Sequence, residues 1–164
     1  MRRTKSPNKR SAGFTMIELA IVAVLIGIMA AMAVPLFTRT IPRIKTHAEA
    51  RSILNSIRIA RSRAVAENAQ FGVYIDITGR SYTLFKDIVD PSAMTFNNGD
   101  SIIAGPNILD NAVVYSGTTF ANGTVVMLPT GAASQSGNVG VNSDQNDAPF
   151  TISVLAATGK TKIQ

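Results

Sequence analysis

The chain has 164 residues, with sixteen Lys and Arg, ten Asp and Glu, one His and no Cys. That length allows one domain plus an anchor but not two large cores, and the lack of Cys excludes a disulfide framework, a thiol nucleophile and a Cys-based metal site. The formal net charge of +6 says little about partners: Arg2, Arg3, Lys5, Lys9 and Arg10 precede a long apolar run, and setting those five aside leaves eleven bases against ten acids.

In chain order, residues 1–13 are polar and basic. Leu19 to Val34 carries no charge, and apolar character continues to Phe37. As a helix rising about 1.5 Å per residue, this run crosses most of a bilayer core, with its basic flank retained in the cytoplasm. Pro35 sits near its outer end, where a kink is tolerated, and Pro42 is expected to kink or interrupt the continuation. Glu18 stands at the mouth of the run. A carboxylate in hydrocarbon costs about 2.5–3.5 kcal/mol or more, so it calls for a partner. A secretory signal would place a small-x-small cleavage site after the apolar stretch; here "FTRT" follows, and the small residues Ala12 and Gly13 come before it.

From Ile44 to Asn68 the pattern becomes that of an amphipathic helix. Ile53, Leu54, Ile57, Ala60 and Ala64 recur at three- and four-residue spacing, with Arg51, Asn55, Arg58 and Ser62 on another face. "QFGVYIDI", the turn "TGRS" and "YTLFK" predict a β-hairpin. Residues 87–107 read as a loop, and short strands are expected at 111–115, 123–128, 138–142 and 149–156. The layout is a leader (1–13), an apolar helix (14–37), an amphipathic continuation (38–69) and a β-rich head (70–164), an α+β chain.

"GFTMIELAIVAVLIGIMAAMAVP", Gly13 to Pro35, resembles the N-terminus of type IV pilins and type II secretion pseudopilins. The resemblance implies cleavage between Gly13 and Phe14 by a prepilin peptidase, followed by N-methylation of Phe14. It makes Glu18 the assembly residue, pairing with the terminal amine of a neighbouring subunit, and Pro35 the helix-kinking proline. Two charges costly alone in lipid become tolerable together. Gly27, Ala30, Ala31 and Ala33 are small enough for close helix packing in a filament core.

"AEARSILNSIRIARSRAVAENAQFGVYI" is similar to the helix-to-strand region of the GspH/FimT family, with Arg61 and Ala64 fitting its pattern and Arg63 replacing the usual acid. "VVMLPTGAAS" resembles that family's strand–Pro–x–Gly element through Pro129 and Gly131. "FTISVLAATGKTKIQ" resembles its final strand and "GRxR"-like ending, with Lys160 and Lys162 for Arg. The implied head is a small β-sandwich or pair of sheets packed on the helix. Lys160 and Lys162 read first as a turn and solvated strand end, and second as a DNA- or anion-binding pair. Lysine lacks the bidentate fork of arginine, and two lysines make a weak, salt-sensitive phosphate contact. The arginines from Arg39 to Arg63 read as a solvated or inter-subunit face, or one drawn to anionic lipid.

No cofactor motif, metal set or nucleophile motif appears. Asn142, Asp144 and Asn146 alternate like the start of a calcium loop, but Gly at its sixth place and Glu at its twelfth are missing, so the segment reads as a plain turn. The resemblance implies a non-enzymatic H-type minor pseudopilin, a single-pass protein of the bacterial inner membrane with a periplasmic head. Its partners would be prepilin peptidase, other pilins or pseudopilins, membrane lipid and an assembly platform protein, DNA being less favoured. The alternatives are a FimT-like minor pilin of a type IV pilus, a tethered DNA-binding module, and an unprocessed single-span protein.

Overall fold

One helix, α1 (Met16–Glu67), opens the fold. The computed structural model describes residues 13–145 and 148–164, and the chain divides into two compact units, residues 1–38 and 39–164. In the first unit the helical stretch Met16–Val34 is long and apolar enough to cross a membrane, with mean hydropathy 2.6 and none of it buried. The interruption expected at Pro42 does not occur, since α1 continues through both prolines. The missing Pro42 N–H removes one intrahelical bond, and a long helix on each side carries that loss. The hydroxyl of buried Thr46 donates to the Pro42 carbonyl at 2.9 Å.

In the second unit α1 presents Ala50, Ile53, Leu54, Ile57, Ala60 and Ala64 to the core, the face anticipated from their spacing. Arg51, Asn55, Arg58 and Ser62 are exposed. Eight strands follow: β1 (Phe71–Asp76), β2 (Ser81–Lys86), β3 (Ser101–Ile108), β4 (Val113–Thr118), β5 (Thr124–Met127), β6 (Gly137–Ser143), β7 (Phe150–Leu155) and β8 (Lys160–Ile163). They form two four-stranded sheets, ordered β3-β2-β1-β5 and β4-β6-β7-β8. The β1–β2 hairpin forms with Phe71 opposite Lys86 and Asp76 opposite Ser81. Its turn is closed by the Gly79 N–H donating to the Asp76 carboxylate at 2.8 Å. One apolar cluster joins the helix face to both sheets, through Phe71, Val73, Val125 and Met127 on one and Val139, Val141 and Ile152 on the other.

Arg80 ties the two sheets at one end. Its guanidinium donates to the carbonyls of Asp110 and Asn111, both at 3.0 Å, and of Val113 at 2.6 Å. The Tyr115 hydroxyl donates to the Ser81 carbonyl at 3.2 Å in the buried interior.

The loop expected over residues 87–107 is corrected in its second half, which is strand β3. β3 is an edge strand, almost wholly exposed, and carries Gly105 and Pro106. Pro is tolerated at edges, and a strand buried on neither face shows no alternation to read. The strand expected at 138–142 forms as β6, one residue longer at each end. Asn142 lies buried in β6, Asn146 falls outside the described residues, and no group of three metal-binding His, Cys, Asp or Glu side chains exists among the described residues.

The first half of that loop is a strap over the outer face of the β1–β2 pair. Phe96 stacks on Tyr74 at 5.1 Å and meets Phe85 edge-on at 4.9 Å. The Asp100 carboxylate holds the strap's ends, accepting from the N–H groups of Ile88 and Val89 at 3.1 Å and of Asn97 at 2.8 Å. Beside it Asp87 is buried, and neither of its carboxyl oxygens has a partner among the described residues. Burial, then the charges of Asp100 and Asp90, push the Asp87 carboxyl above its ordinary value. The folded chain therefore holds this proton more tightly than the unfolded chain, so stability falls as pH rises from the ordinary carboxylate range through the raised value. Asp87→Asn is expected to raise the melting temperature at neutral pH by about 2–4 °C. Melts across pH check this, since the gain should disappear below the ordinary value of 3.8.

Candidate functional site

Two places hold the residues singled out from sequence, and each lies within one unit. At the start of α1, Phe14 is 76% exposed. A Cβ placed on Gly13 would meet nothing within 4 Å, so the local structure itself gives no packing reason for glycine there. Thr15 caps the helix: its hydroxyl accepts the Glu18 N–H at 3.3 Å, and its carbonyl accepts from Glu18 at 3.1 Å and Leu19 at 3.2 Å. The T-x-x-E spacing of Thr15 and Glu18 is that of a capping box. That signal stands in the sequence itself. The cap uses only the Glu18 backbone, and the exposed Glu18 carboxylate has no partner among the described residues. Negative charge in a helix's first turn also suits the positive end of its dipole.

At the other place, Lys160 and Lys162 stand exposed on β8, opposite Leu155 and Ser153 of β7. β8 closes its sheet as an edge strand beside α1. The Arg58 Nε donates to the Thr161 hydroxyl at 3.3 Å, and the Arg61 Nε donates to the Gly131 carbonyl at 2.9 Å. A cleft of about 750 Å³ between helix and strand is lined by Arg58, Arg61, Val65, Gly159 and Lys160.

This second place brings together three elements far apart in sequence: Arg61 on α1, the Pro129–Gly131 turn, and the Gly159 turn before β8. Gly131 and Gly159 both adopt left-handed backbone, with φ of +82° and +60°, where a side chain is strained. A Cβ on Gly159 would also collide with the Gly131 carbonyl that Arg61 binds. The Pro–x–Gly element and the Gly–Lys ending are thus two sides of one latch closed by Arg61.

The charges here are uncompensated. The ion pairs among the described residues are Lys45–Asp110 at 3.0 Å, Lys86–Glu67 at 2.9 Å and Arg63–Glu67 at 3.8 Å. Arg63, where an acid was the usual residue, finds Glu67 one turn on. Arg51, Arg58, Arg61, Lys160 and Lys162 face no carboxylate within ion-pair distance among the described residues.

Residues 49–158 match the family model of the type II transport protein GspH, and residues 8–34 match that of the prokaryotic N-terminal methylation motif. No curated protein sequence matches significantly. Among solved structures, the fold is similar to the minor pseudopilin EpsH of the Vibrio cholerae type 2 secretion system. That similarity has a TM-score of 0.56 and 12% identity, covering 73% of this chain and 96% of that one. A second EpsH structure gives 0.55 and 12%, over 73% and 95%. The type IV minor pilin FimU of Pseudomonas aeruginosa gives 0.53 and 13%, over 74% and 90%. At these identities the likeness shows a shared fold.

Gly159→Ala is expected to destabilise the second unit by about 2 kcal/mol or more, because both the left-handed backbone and the Gly131 carbonyl oppose the added methyl. Arg61→Ala is expected to cost about 1 kcal/mol. Denaturant unfolding of both variants and of the double variant checks the latch: the two losses should fall short of adding, since each breaks the same contact.

Proposed function

The chain belongs to the GspH family of type II transport proteins, and from that membership we propose that it works as a minor pseudopilin, a structural subunit added to a short filament of type II secretion. The GspH match over residues 49–158 carries this reading, and the match to the methylation motif over residues 8–34 supports the processing it requires. Prepilin peptidase cleaves between Gly13 and Phe14 and methylates the new Phe14 amine. The open space around Gly13 and the exposure of Phe14 suit an enzyme that must approach the backbone closely.

The remaining steps are physical. The apolar stretch from Phe14 to Phe37 holds the subunit in the inner-membrane lipid, with the head in the periplasm, until the assembly platform extracts it. In lipid the Glu18 carboxylate needs a cation. It has no partner among the described residues and sits on a turn that Thr15 keeps helical. The Phe14 amine of a neighbouring pilin or pseudopilin supplies that charge and sets the register of addition. Pro35 allows the helix to bend where membrane and head portions meet.

The runner-up is a minor pilin of a type IV pilus. Its support is the fold likeness to FimU together with the exposed Lys160 and Lys162, which would then touch DNA. The family match favours secretion.

A clean deletion scored in parallel for protein secretion and for DNA uptake or twitching separates the two; loss of secretion alone is expected, and loss of uptake or motility with secretion intact reverses the order. Glu18→Ala should still be cleaved and membrane-inserted, and its presence in the filament fraction should fall about tenfold or more. Normal incorporation of that variant would refute the pairing.

A further inference from the structure

β8 has one bare edge. Thr151 and Gln164 exchange both backbone hydrogen bonds, at 3.0 and 2.8 Å. With Ser153 opposite Lys162 and Leu155 opposite Lys160, the inward bonds in this antiparallel ladder fall on alternate residues, Lys162 and Lys160. The N–H and C=O groups of Thr161 and Ile163 therefore point away from β7, and no further strand takes them.

Along that edge lie two clefts of about 750 and 540 Å³, sharing Arg58, with α1 on one side and β8 residues on the other. Arg51, Arg58 and Arg61 line them from the helix, spaced seven and three residues apart and so on one face. Leu54, Val65 and Ile163 add apolar wall. The lining thus offers peptide-like donors and acceptors, apolar surface, and cations without a counter-charge.

We propose that this edge receives an extended acidic segment of a neighbouring filament subunit, which adds to β8 as a further strand and sets its carboxylates on Arg51 and Arg58. Strand addition draws affinity from main-chain hydrogen bonds and specificity from alternate side chains. Guanidinium groups suit carboxylates because their donors form a planar fork. A nucleic acid would leave the strand edge unused, and the one ring that lines either cleft, His47, already packs against Phe150 at 5.2 Å. The inference rests on the filament reading above for its partner, while its chemistry stands on the cleft.

The test titrates the full chain in detergent micelles with a fluorescent octapeptide of alternating Glu and Val, against an alternating Lys–Val octapeptide and a single-stranded thymidine oligonucleotide. The acidic peptide should bind in preference to both. Arg51→Glu combined with Arg58→Glu should weaken it at least about tenfold. Thr161→Pro keeps every charge and removes an N–H that makes no ladder bond, a substitution that edge strands tolerate; because it also removes the hydroxyl that Arg58 binds, it should weaken binding more than Thr161→Val, which loses the hydroxyl alone. Should Thr161→Pro unfold the head, the arginine pair still decides. Equal binding of the two peptides, binding unaffected by the arginine reversals, or preference for the oligonucleotide overturns the proposal. Secretion lost on deletion while the acidic peptide fails to bind would sink this inference alone. Peptide binding with secretion intact would sink the secretion reading and leave the cleft's chemistry standing.

Discussion

The apolar stripe that α1 sends into the second unit is the contact on which the head is built. Ala50, Ile53, Leu54, Ile57, Ala60 and Ala64 are all buried, five of them completely, in one cluster with residues of both sheets. Neither sheet encloses a core alone, because each is four strands wide and several of those strands are short. A helix laid against both gives one continuous apolar cluster. The larger Ile53, Leu54 and Ile57 fill the middle of the stripe, and the small Ala50 before them and Ala60 and Ala64 after them let the backbone of the helix come close to the rest of the core.

Polar ties complete what burial begins, and they use cations on carbonyls. Arg80 binds three carbonyl oxygens where the sheets meet, and Arg61 binds one where two glycine turns touch. A guanidinium can do this because it carries five donors and no acceptor. Arginines spent in this way keep their charge without meeting a carboxylate. The result is a head whose acids lie on the strap, at the sheet ends and, as Glu49 and Glu67, on α1 away from these clefts, while the α1–β8 clefts are lined by arginines and a lysine with no carboxylate.

The first unit obeys a different constraint. Its helix has apolar side chains all round, exposed among the described residues: Ile17, Leu25, Met29 and Met32 are each more than half accessible. A helix hydrophobic on every side is stable only in lipid or among other helices. The one charged exception among the described residues is Glu18, whose backbone is committed to the Thr15 cap and whose carboxylate has no partner among them. A helix start pinned by a cap, with a free acid on its first turn, is arranged for a charge that comes from outside the chain.

Much of this was legible before any coordinates. The helix face and the hairpin were legible in local periodicity, because a segment buried on one side repeats at 3.6 or at 2; the apolar helix was legible as an unbroken uncharged run, and the four later strands as short stretches between Gly- and Asn-rich turns. β3 was not legible because it is buried on neither side and so shows no alternation. Arg61, Gly131 and the ending that holds Lys160 belong to separate stretches of the resemblance, and nothing in the sequence says that they meet, or that Gly159 is where they do. Sequence by itself determined which residues must leave water and where the chain could turn, since both are properties of short segments. Only the tertiary structure decided that Arg58 meets Thr161 across more than a hundred residues, that one edge of β8 stays bare, and that the cations around it lack carboxylates, because these depend on which distant surfaces the common core draws together.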